Sequence, residues 1–247
     1  MARTLLAIAT YNERENIRAL VEAILALGIP DLDILIVDDN SPDGTGALAD
    51  QLAAEHPEVS VVHRESKLGL GTAHVAAMRL ADDRAYDFFA TMDADFSHHP
   101  RHLPDILANK ESRDLVLGSR YVPGGGVRNW GPMRRFMSWG ANAYVRTVLG
   151  LRPRDCSGAF RCYRVDMLRR IDLAAVVARG YAFQEEIVYR VQLLGGRIAE
   201  VPILFEDRRS GQTKMSLREI LGLFATVLRL RWLRLRGRIP AQHDNRA

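Results

Sequence analysis

The sequence predicts an α/β fold in which a mostly parallel central sheet is flanked by helices. Two observations support this fold class. Short apolar runs of strand length alternate with longer segments whose apolar residues recur at helical spacing. Polar side chains also gather where the apolar runs end. Repeated strand–helix–strand units give parallel strands covered by helices on both faces. Ligands of such sheets bind beyond the carboxyl ends of the strands.

The elements follow in chain order. Strands are predicted at Thr4–Ala9, Asp33–Val37, Val59–His63, Phe88–Met92, Leu115–Gly118 and Ile198–Phe205. The first helix is indicated by Ile17, Leu20, Val21, Ile24 and Leu25, and Asn12 with Glu15 resembles a capping pair at its start. Further helices are predicted at Thr72–Ala81 and Pro132–Leu149.

Composition limits the class of protein. The chain has 247 residues, enough for one large domain or two small ones, and no convincing linker divides it. Cys156 and Cys162 have no zinc-site spacing and are too few for a disulfide framework, which indicates a reducing cytoplasm. Met1 leads directly into the first strand, so we expect no signal peptide.

Charge is distributed unevenly along the chain. Residues 1–207 contain 24 Lys and Arg against 28 Asp and Glu, whereas residues 208–247 contain ten against two. Near the end, an apolar stripe and an arginine stripe share one helical pattern; the apolar stripe comprises Leu217, Leu221, Phe224, Leu228, Trp232 and Leu235. The longest charge-free run there is 220–228, far short of the ~20 residues that span a bilayer. We therefore predict a body at 1–216, a basic amphipathic helix at the membrane interface at 217–238 and a disordered tail at 239–247.

Two carboxylates, Asp93 and Asp95, end the fourth apolar run. In an extended strand, residues two apart point to the same side, so both could face one divalent cation. Hard oxygen ligands suit Mg²⁺ or Mn²⁺, usually together with substrate phosphates. A solvated loop is the plainer explanation of this pair alone. His98 lies close enough to Asp95 in sequence to keep a coordinating role open.

Other polar segments also have two readings. Asp38 and Asp39 precede a Ser-Pro-Asp-Gly turn, and one of them could accept hydrogen bonds from a base or ribose. The run Gly69–His74 suggests a dinucleotide-binding loop, but His74 replaces the third small residue and no strand directly precedes the glycines, which favours a tight turn opening a helix.

Two cationic groups could hold phosphates. Arg208, Arg209 and Lys214 surround a polar, glycine-containing segment that could close over a diphosphate, or could be a solvated basic loop. Arg134, Arg135 and Ser138 lie about one helical turn apart and could hold a second phosphate.

Six motifs in order resemble the dolichyl-phosphate (polyprenyl-phosphate) mannosyltransferases, members of the inverting glycosyltransferase family 2 with the GT-A fold. The motifs span residues 9–16, 37–45, 69–73, 92–98, 118–121 and 180–187, and the similarity runs from residue 5 to about 216. The chain departs from the family's usual pattern at Ala9, where Pro is common, and at Ser157-Gly-Ala-Phe.

The resemblance implies specific roles. Ala9, Tyr11, Glu13, Val37 and Asp39 would frame the guanosine of GDP-mannose. Asp93, Ala94 and Asp95 would meet the ribose, diphosphate and metal, with Ser97 where some members have a glutamine ligand. Arg208 and Lys214 would hold the diphosphate. Arg120, Arg134 and Ser138 match positions that receive the lipid phosphate, and Arg120 also borders the donor.

The expected activity is transfer of mannose from GDP-mannose to a polyprenyl or dolichyl monophosphate, with Mg²⁺ or Mn²⁺ as cofactor. The expected location is the cytoplasmic face of the membrane, held peripherally or through an integral-membrane partner subunit, with no nucleic-acid partner. The alternatives are a glucosyltransferase that uses UDP-glucose and a nucleotide-sugar-binding module without turnover.

Overall fold

A computed structural model describes residues 2–178, 180, 182–206 and 217–240, with side chains from residue 222 onward in the last segment. The strands are β1 (Thr4–Thr10), β2 (Leu32–Asp38), β3 (Val59–His63), β4 (Phe88–Asp93), β5 (Leu115–Ser119), β6 (Gly126–Val127), β7 (Arg161–Arg164), β8 (Ile198–Pro202) and β9 (Leu204–Phe205). The helices are α1 (Arg14–Leu25), α2 (Thr45–Glu55), α3 (Leu70–Asp83), α4 (Leu103–Ala108), α5 (Pro132–Leu149), α6 (Val165–Arg169), α7 (Phe183–Leu193) and α8 (Leu217–Leu235).

The main sheet confirms the predicted α/β class. Its described strands lie in the order β3-β2-β1-β4-β7-β5-β8, and all neighbouring pairs are parallel except those that β7 makes with β4 and β5. β1 therefore lies in the centre of the parallel part, with Ala9 in register with both Val37 of β2 and Asp93 of β4.

Both faces of this sheet are covered. Alternate residues of β1 enter opposite cores, because successive side chains of a strand point to opposite faces. Leu5 and Ala7 pack with α3 and α7, whereas Leu6 and Ile8 pack with α1. This double burial explains why the parallel strands read as continuous apolar runs without alternation.

Three local predictions differ from the structure. The strand predicted at 198–205 is two strands in different sheets, β8 and β9, separated by Ile203. β7 was not predicted, because Arg161-Cys-Tyr-Arg164 has too few apolar residues to suggest a strand. The Asn12–Glu15 capping pair is wrong: Asn12 has a left-handed φ of 60°, its N–H donates to Ser41 Oγ, and Glu13 precedes the first helical residue with no side-chain cap.

Candidate active site at the carboxyl edge of the sheet

A cavity of about 620 Å³ opens where β1, β2 and β4 end. Its walls come from these strand ends, from the start of α3, from the segment before α7 and from α8. The described lining residues are Ala9, Thr10, Tyr11, Glu13, Asp39, Lys67, Gly69, Leu70, Ala73, Asp93, Ala94, Asp95, Val177, Ala178, Gly180, Ala182, Gly222, Leu223 and Thr226. This size is typical of small-ligand sites. We call it the acidic cavity, because Glu13, Asp39, Asp93 and Asp95 all line it.

The two acids at the end of β2, Asp38 and Asp39, have different surroundings. Asp38 is buried and accepts hydrogen bonds from the Thr10 hydroxyl at 3.0 Å and from the Ser41 hydroxyl at 2.6 Å, so it holds two loops together. Asp39 lines the acidic cavity. Burial raises the pKa of Asp39 above its ordinary value, although the neighbouring Arg64 guanidinium opposes this rise.

Arg64 connects Asp39 to the glycine turn. Its Nη1 donates to Asp39 Oδ1 at 2.6 Å and its Nη2 donates to the Thr72 hydroxyl at 2.6 Å. The Thr72 hydroxyl in turn donates to the Gly69 carbonyl at 2.7 Å. Gly69 has a φ of 95°, a conformation that favours glycine, and α3 begins directly after it. The glycine run is therefore the tight turn that opens a helix.

Asp93 and Asp95 both line the acidic cavity, although β4 ends at Asp93 and Asp95 lies in the bend that follows. The Asp93 carboxylate is 34% exposed. Asp95 is buried, and its Oδ1 accepts the Ser97 backbone N–H at 3.0 Å. The pair therefore presents one accessible and one enclosed carboxylate to the same space.

His98 lies behind Asp93 and not in the cavity lining. Its Nδ1 lies 3.3 Å from Asp93 Oδ2 and 3.4 Å from the Asp93 backbone nitrogen. The ring packs between Phe160 and Phe205. Burial lowers the pKa of His98 to about 4, so the ring is neutral at physiological pH. His98 supports the turn after β4 as an uncharged group.

The donor set of the cavity fits a divalent cation of the magnesium type. Carboxylate oxygens are the hard ligands that Mg²⁺ and Mn²⁺ prefer. Among the described residues, no group of three or more His, Cys, Asp or Glu side chains is placed to hold a metal. Asp93 and Asp95, which both line the cavity, are the residues that would hold such a cation, together with oxygens from a substrate.

A second cavity of about 370 Å³ lies near the end of β5. It is lined by Arg120, Tyr121, Gly126, Val127, Trp130, Arg135 and Trp139, and we call it the cationic cavity. β5 is separated from β4 by β7, which explains why the polar end of β5 forms its own site. The polar ends of β1, β2 and β4 thus line one cavity, and the polar end of β5 lines another.

Arg120 is held rigidly by a buried carboxylate. Its Nε and Nη2 donate to the two Asp155 oxygens at 2.7 Å each, and Nη2 also donates to the Ser157 hydroxyl at 2.7 Å. Burial alone would raise the pKa of Asp155, but the Arg120 charge outweighs it and keeps that pKa below its ordinary value. Burial likewise tends to lower the pKa of Arg120, but the Asp155 carboxylate holds it above the ordinary value. The more distant Asp93 charge also contributes to the raised pKa of Arg120.

α5 brings two further predicted residues to the cationic cavity. The hydroxyls of Ser138 and Tyr121 lie 2.7 Å apart, and Tyr121 lines the cavity. The Arg134 guanidinium lies 4.2 Å from the ring centre of Trp130, which also lines it. Of the three residues predicted to act together, Arg120 lines the cavity, whereas Arg134 and Ser138 each contact a residue that lines it.

Large apolar side chains are exposed on α5 and α8. On α5, the exposed fractions of Met133, Phe136, Met137 and Trp139 range from 51% to 70%. On α8, Leu223, Val227 and Leu230 pack into the core, whereas Leu228, Trp232 and Leu235 are 46–71% exposed. The two helices contact each other through Tyr144 and Phe224, whose ring centres are 4.5 Å apart. None of the helices in the described part of the chain is long and apolar enough to cross a bilayer.

Comparison with known proteins identifies the family. Residues 6–172 match the glycosyl transferase family 2 model. The chain belongs to glycosyl transferase family 2. It is thus a glycosyltransferase, as the motifs predicted. Similar curated relatives include an undecaprenyl-phosphate mannosyltransferase of Micrococcus luteus, 45% identical over 96% of this chain and 99% of the relative. A polyprenol monophosphomannose synthase of Mycolicibacterium smegmatis is 47% identical over 87% of this chain and 81% of the relative.

Solved structures support the fold. The glucosyl-3-phosphoglycerate synthase of Mycobacterium tuberculosis, solved with Mn²⁺, UDP-glucose and phosphoglyceric acid, superimposes with a TM-score of 0.70 at 20% identity, covering 94% of this chain and 80% of that one. The mannosyl-3-phosphoglycerate synthase of Rubrobacter xylanophilus gives a TM-score of 0.69 at 20% identity, covering 96% and 75%. The GT-A fold expected from the motifs is confirmed.

The structure assembles most of the predicted donor residues. Seven of them line the acidic cavity: Ala9, Tyr11, Glu13, Asp39, Asp93, Ala94 and Asp95. Val37 lies in the core, and Ser97 is buried behind Asp95, both outside the lining. Arg120 belongs to the cationic cavity. Arg208 and Lys214 lie outside the described residues, so their contact with a diphosphate stays a prediction.

Several residues of the two cavities were not predicted from the sequence. Lys67 lines the acidic cavity, and its Nζ lies 3.8 Å from the ring centre of Tyr11. Asp155 was missed because it lies in a loop outside any recognised motif, 35 residues after its partner Arg120. α8 was predicted as a membrane-interface helix, with core packing as the alternative for its first half, and its Gly222, Leu223 and Thr226 also line the acidic cavity.

Proposed function

We propose that this enzyme transfers mannose from GDP-mannose to a polyprenyl monophosphate with inversion, giving polyprenyl-phosphate β-mannose and GDP. The two curated relatives, named as mannosyltransferases of polyprenyl phosphates and similar over most of the chain, support this substrate class.

The observation that carries the proposal is the pairing of two unlike cavities. The acidic cavity offers carboxylates suited to a metal–nucleotide complex. The cationic cavity offers Arg120 and Arg135 among Tyr121, Trp130 and Trp139, which suits an anionic headgroup on an apolar chain. An exposed apolar face of α5 lies beside it.

In the donor site, the Tyr11 ring and Lys67 offer a flat apolar surface and a cation, and Asp39 offers an acceptor for base or ribose donors. Asp93 and Asp95 would hold Mg²⁺ or Mn²⁺, and the bound cation would stabilise the departing diphosphate as a Lewis acid. Arg208 and Lys214 would add positive charge to the same diphosphate.

In the acceptor site, Arg120 and Arg134 would bind the lipid phosphate and offset its repulsion from the donor diphosphate. The Tyr121–Ser138 hydroxyl pair adds neutral hydrogen-bonding groups. The nucleophile is a phosphate oxygen, and a monoester's second pKa near ~6 leaves it largely ionised at neutral pH. The reaction therefore needs positioning and positive charge more than a strong general base.

The membrane would be reached through α5 and α8. Amphipathic helices that lie in the interface combine aromatic and aliphatic residues with Arg and Lys. Leu228, Trp232 and Leu235 are exposed on α8 next to exposed arginines, and the four apolar residues of α5 extend the same kind of surface. We propose that the enzyme sits peripherally on the cytoplasmic face.

The direct test offers radiolabelled GDP-mannose or UDP-glucose, with Mg²⁺ or Mn²⁺, to the purified enzyme and a short polyprenyl phosphate. We expect label in the lipid fraction only from GDP-mannose. Label from UDP-glucose alone would support the glucosyltransferase alternative. Nucleotide-sugar binding without lipid label would support the non-catalytic module.

Membrane attachment is tested with vesicles containing an anionic phospholipid. We expect Ser substitution of Leu228, Trp232 and Leu235 together to release most of the protein in a sedimentation assay. The control is Leu68→Ser, which removes one exposed leucine that belongs to neither helix. Equal binding of the triple variant and the wild type would contradict the role of α8 and favour an integral partner.

A further inference from the structure

A buried asparagine in the middle of α5 makes hydrogen bonds in two directions. Asn142 is 5% exposed, and asparagine is a residue type that helix interiors disfavour because its amide competes with the backbone. Its amide oxygen accepts the Cys156 backbone N–H at 2.9 Å. Its amide nitrogen donates to the Ser138 carbonyl at 3.1 Å and to the Ser157 hydroxyl at 3.4 Å. Asn142 therefore connects α5 to the loop that precedes β7.

That loop holds Arg120. The Ser157 hydroxyl accepts Arg120 Nη2 at 2.7 Å, and Asp155, two residues earlier, binds the same guanidinium. The loop is also held from β8, because the Glu200 carboxylate accepts the backbone N–H of Asp155 at 3.0 Å. Arg120 lines the cationic cavity. The position of this guanidinium in the cavity thus depends on where loop 155–157 lies.

One face of α5 forms the other side of the site. Arg134, Ser138 and Asn142 are spaced by four residues, so they lie along one face of the helix. The first two contact residues that line the cationic cavity: Arg134 lies over the Trp130 ring, and the Ser138 hydroxyl lies 2.7 Å from that of Tyr121. Asn142 is the residue of this face that meets the loop.

These hydrogen bonds form a closed ring. From Arg120 they run through Ser157, Asn142 and Ser138 to Tyr121, which follows Arg120 in the chain. We propose that Asn142 is a positioning residue for the acceptor, which fixes the separation between the Arg120 guanidinium and the face of α5. This inference rests on the proposed function, in which both sides of that gap bind the acceptor phosphate.

The separation matters because charge-assisted hydrogen bonds to a phosphate are directional. A phosphate bridges two guanidinium groups only when they lie at a matching distance. The phosphate is also the nucleophile, and a reacting group displaced by about 1 Å loses much of its rate. Asn142 is not among the described residues that line either cavity, so its effect on the acceptor passes through Arg120 and Ser138.

The test is Asn142→Asp, which keeps the shape of the side chain and an acceptor for Cys156 but removes both donors. The new carboxylate would also compete with Asp155 for Arg120. Calorimetry measures binding of geranylgeranyl monophosphate without donor, and initial rates give the KM values of this acceptor and of GDP-mannose. We expect acceptor affinity to fall about 10-fold, the equivalent of one hydrogen bond, and the KM of GDP-mannose to stay the same.

This split between the two substrates separates positioning from a merely structural role. A variant that only folds less well has less active enzyme, which lowers the apparent kcat and leaves both KM values unchanged. Asn109→Asp is the matched control, because the Asn109 amide also donates to a carbonyl four residues earlier, that of Asp105, and follows α4 outside both cavity linings. It should leave both KM values and acceptor binding unchanged.

Should Asn142→Asp fail to fold, Ser157→Ala decides, because it removes the hydroxyl that lies between Asn142 and Arg120. We expect the same selective loss of acceptor affinity. A folded variant whose affinity for geranylgeranyl monophosphate is unchanged overturns the inference, and so does a loss that falls equally on GDP-mannose. A wild type that transfers no mannose to the prenyl phosphate overturns the proposed function instead, so the two failures are distinguishable.

Discussion

The Arg120–Asp155 pair predicts a large and specific loss of stability on Asp155→Asn. The side chain of Asp155 is fully buried and that of Arg120 is 7% exposed. Asp155 accepts the backbone N–H of Arg120 at 3.0 Å and two guanidinium donors at 2.7 Å. Asn keeps the shape but removes the charge, and its amide N–H groups face the guanidinium donors. A buried charge that loses its partner costs about 3–5 kcal/mol.

The control is the same substitution at an exposed pair. Asp82 accepts Arg169 Nε at 2.6 Å, but the two side chains are 44% and 47% exposed. Solvent screening limits such a pair to less than about 1 kcal/mol. Urea unfolding at pH 7 measures both variants, and we expect Asp155→Asn to lose several times more free energy of unfolding than Asp82→Asn.

The pH dependence of this loss has a defined sign. The folded-state pKa of Asp155 lies below its ordinary value, so the pair contributes its full stabilisation above the unfolded pKa of about 3.8 and loses it as the pH falls through the folded pKa. The difference between wild type and variant should therefore shrink under strongly acidic conditions. If both variants lose less than about 1 kcal/mol at pH 7, the reasoning about this pair is wrong.

Three further predictions concern catalysis, titration and packing. Asp95→Ala should abolish mannose transfer while leaving the circular dichroism spectrum unchanged, because the proposed metal–diphosphate complex loses a ligand. Normal turnover of the variant would show that Asp95 does not bind a required metal. His74 is buried against Phe183, and burial lowers its pKa to about 4. The midpoint of its NMR titration should therefore lie well below 6.5. The free energy of unfolding should fall as the pH drops from 6.5 towards 4, because the unfolded chain binds the proton more tightly. Gly125→Ala should cost at least ~1 kcal/mol of unfolding free energy, because a Cβ there would lie 2.4 Å from the Ser119 carbonyl oxygen. Gly131→Ala, where an added Cβ would meet nothing within 4 Å, should leave the unfolding free energy nearly unchanged in the same urea assay.

Much of the fold could be predicted because apolar periodicity and turn residues are properties of short stretches of sequence. The strand Val59–His63 and the helix Pro132–Leu149 were predicted with their observed bounds, since both are bounded by turn residues. β7 could not be predicted, because its Arg161 is a buried residue that the sequence pattern does not mark as one. Its guanidinium donates to the carbonyls of Cys156 and Gly158 in the preceding loop and of Gln184 in α7.

Part of the candidate site could also be predicted from the sequence. Residues at strand ends, such as Asp39 and Asp93, were identified because parallel strands bring their ends to one edge. The division into two cavities could not be predicted, since it depends on where the antiparallel β7 is inserted.

α8 belongs to two surfaces at once. Gly222, Leu223 and Thr226 wall the acidic cavity, and Leu228 and Trp232 on the same helix are exposed. If a nucleotide binds in the acidic cavity and α8 adsorbs to a membrane, as proposed, both events constrain the same helix, and we expect their free energies to be linked. By reciprocity, if vesicles tighten GDP binding by some factor, GDP must tighten vesicle binding by the same factor. In that case α8 would couple occupancy of the donor site to contact with the membrane that contains the acceptor lipid.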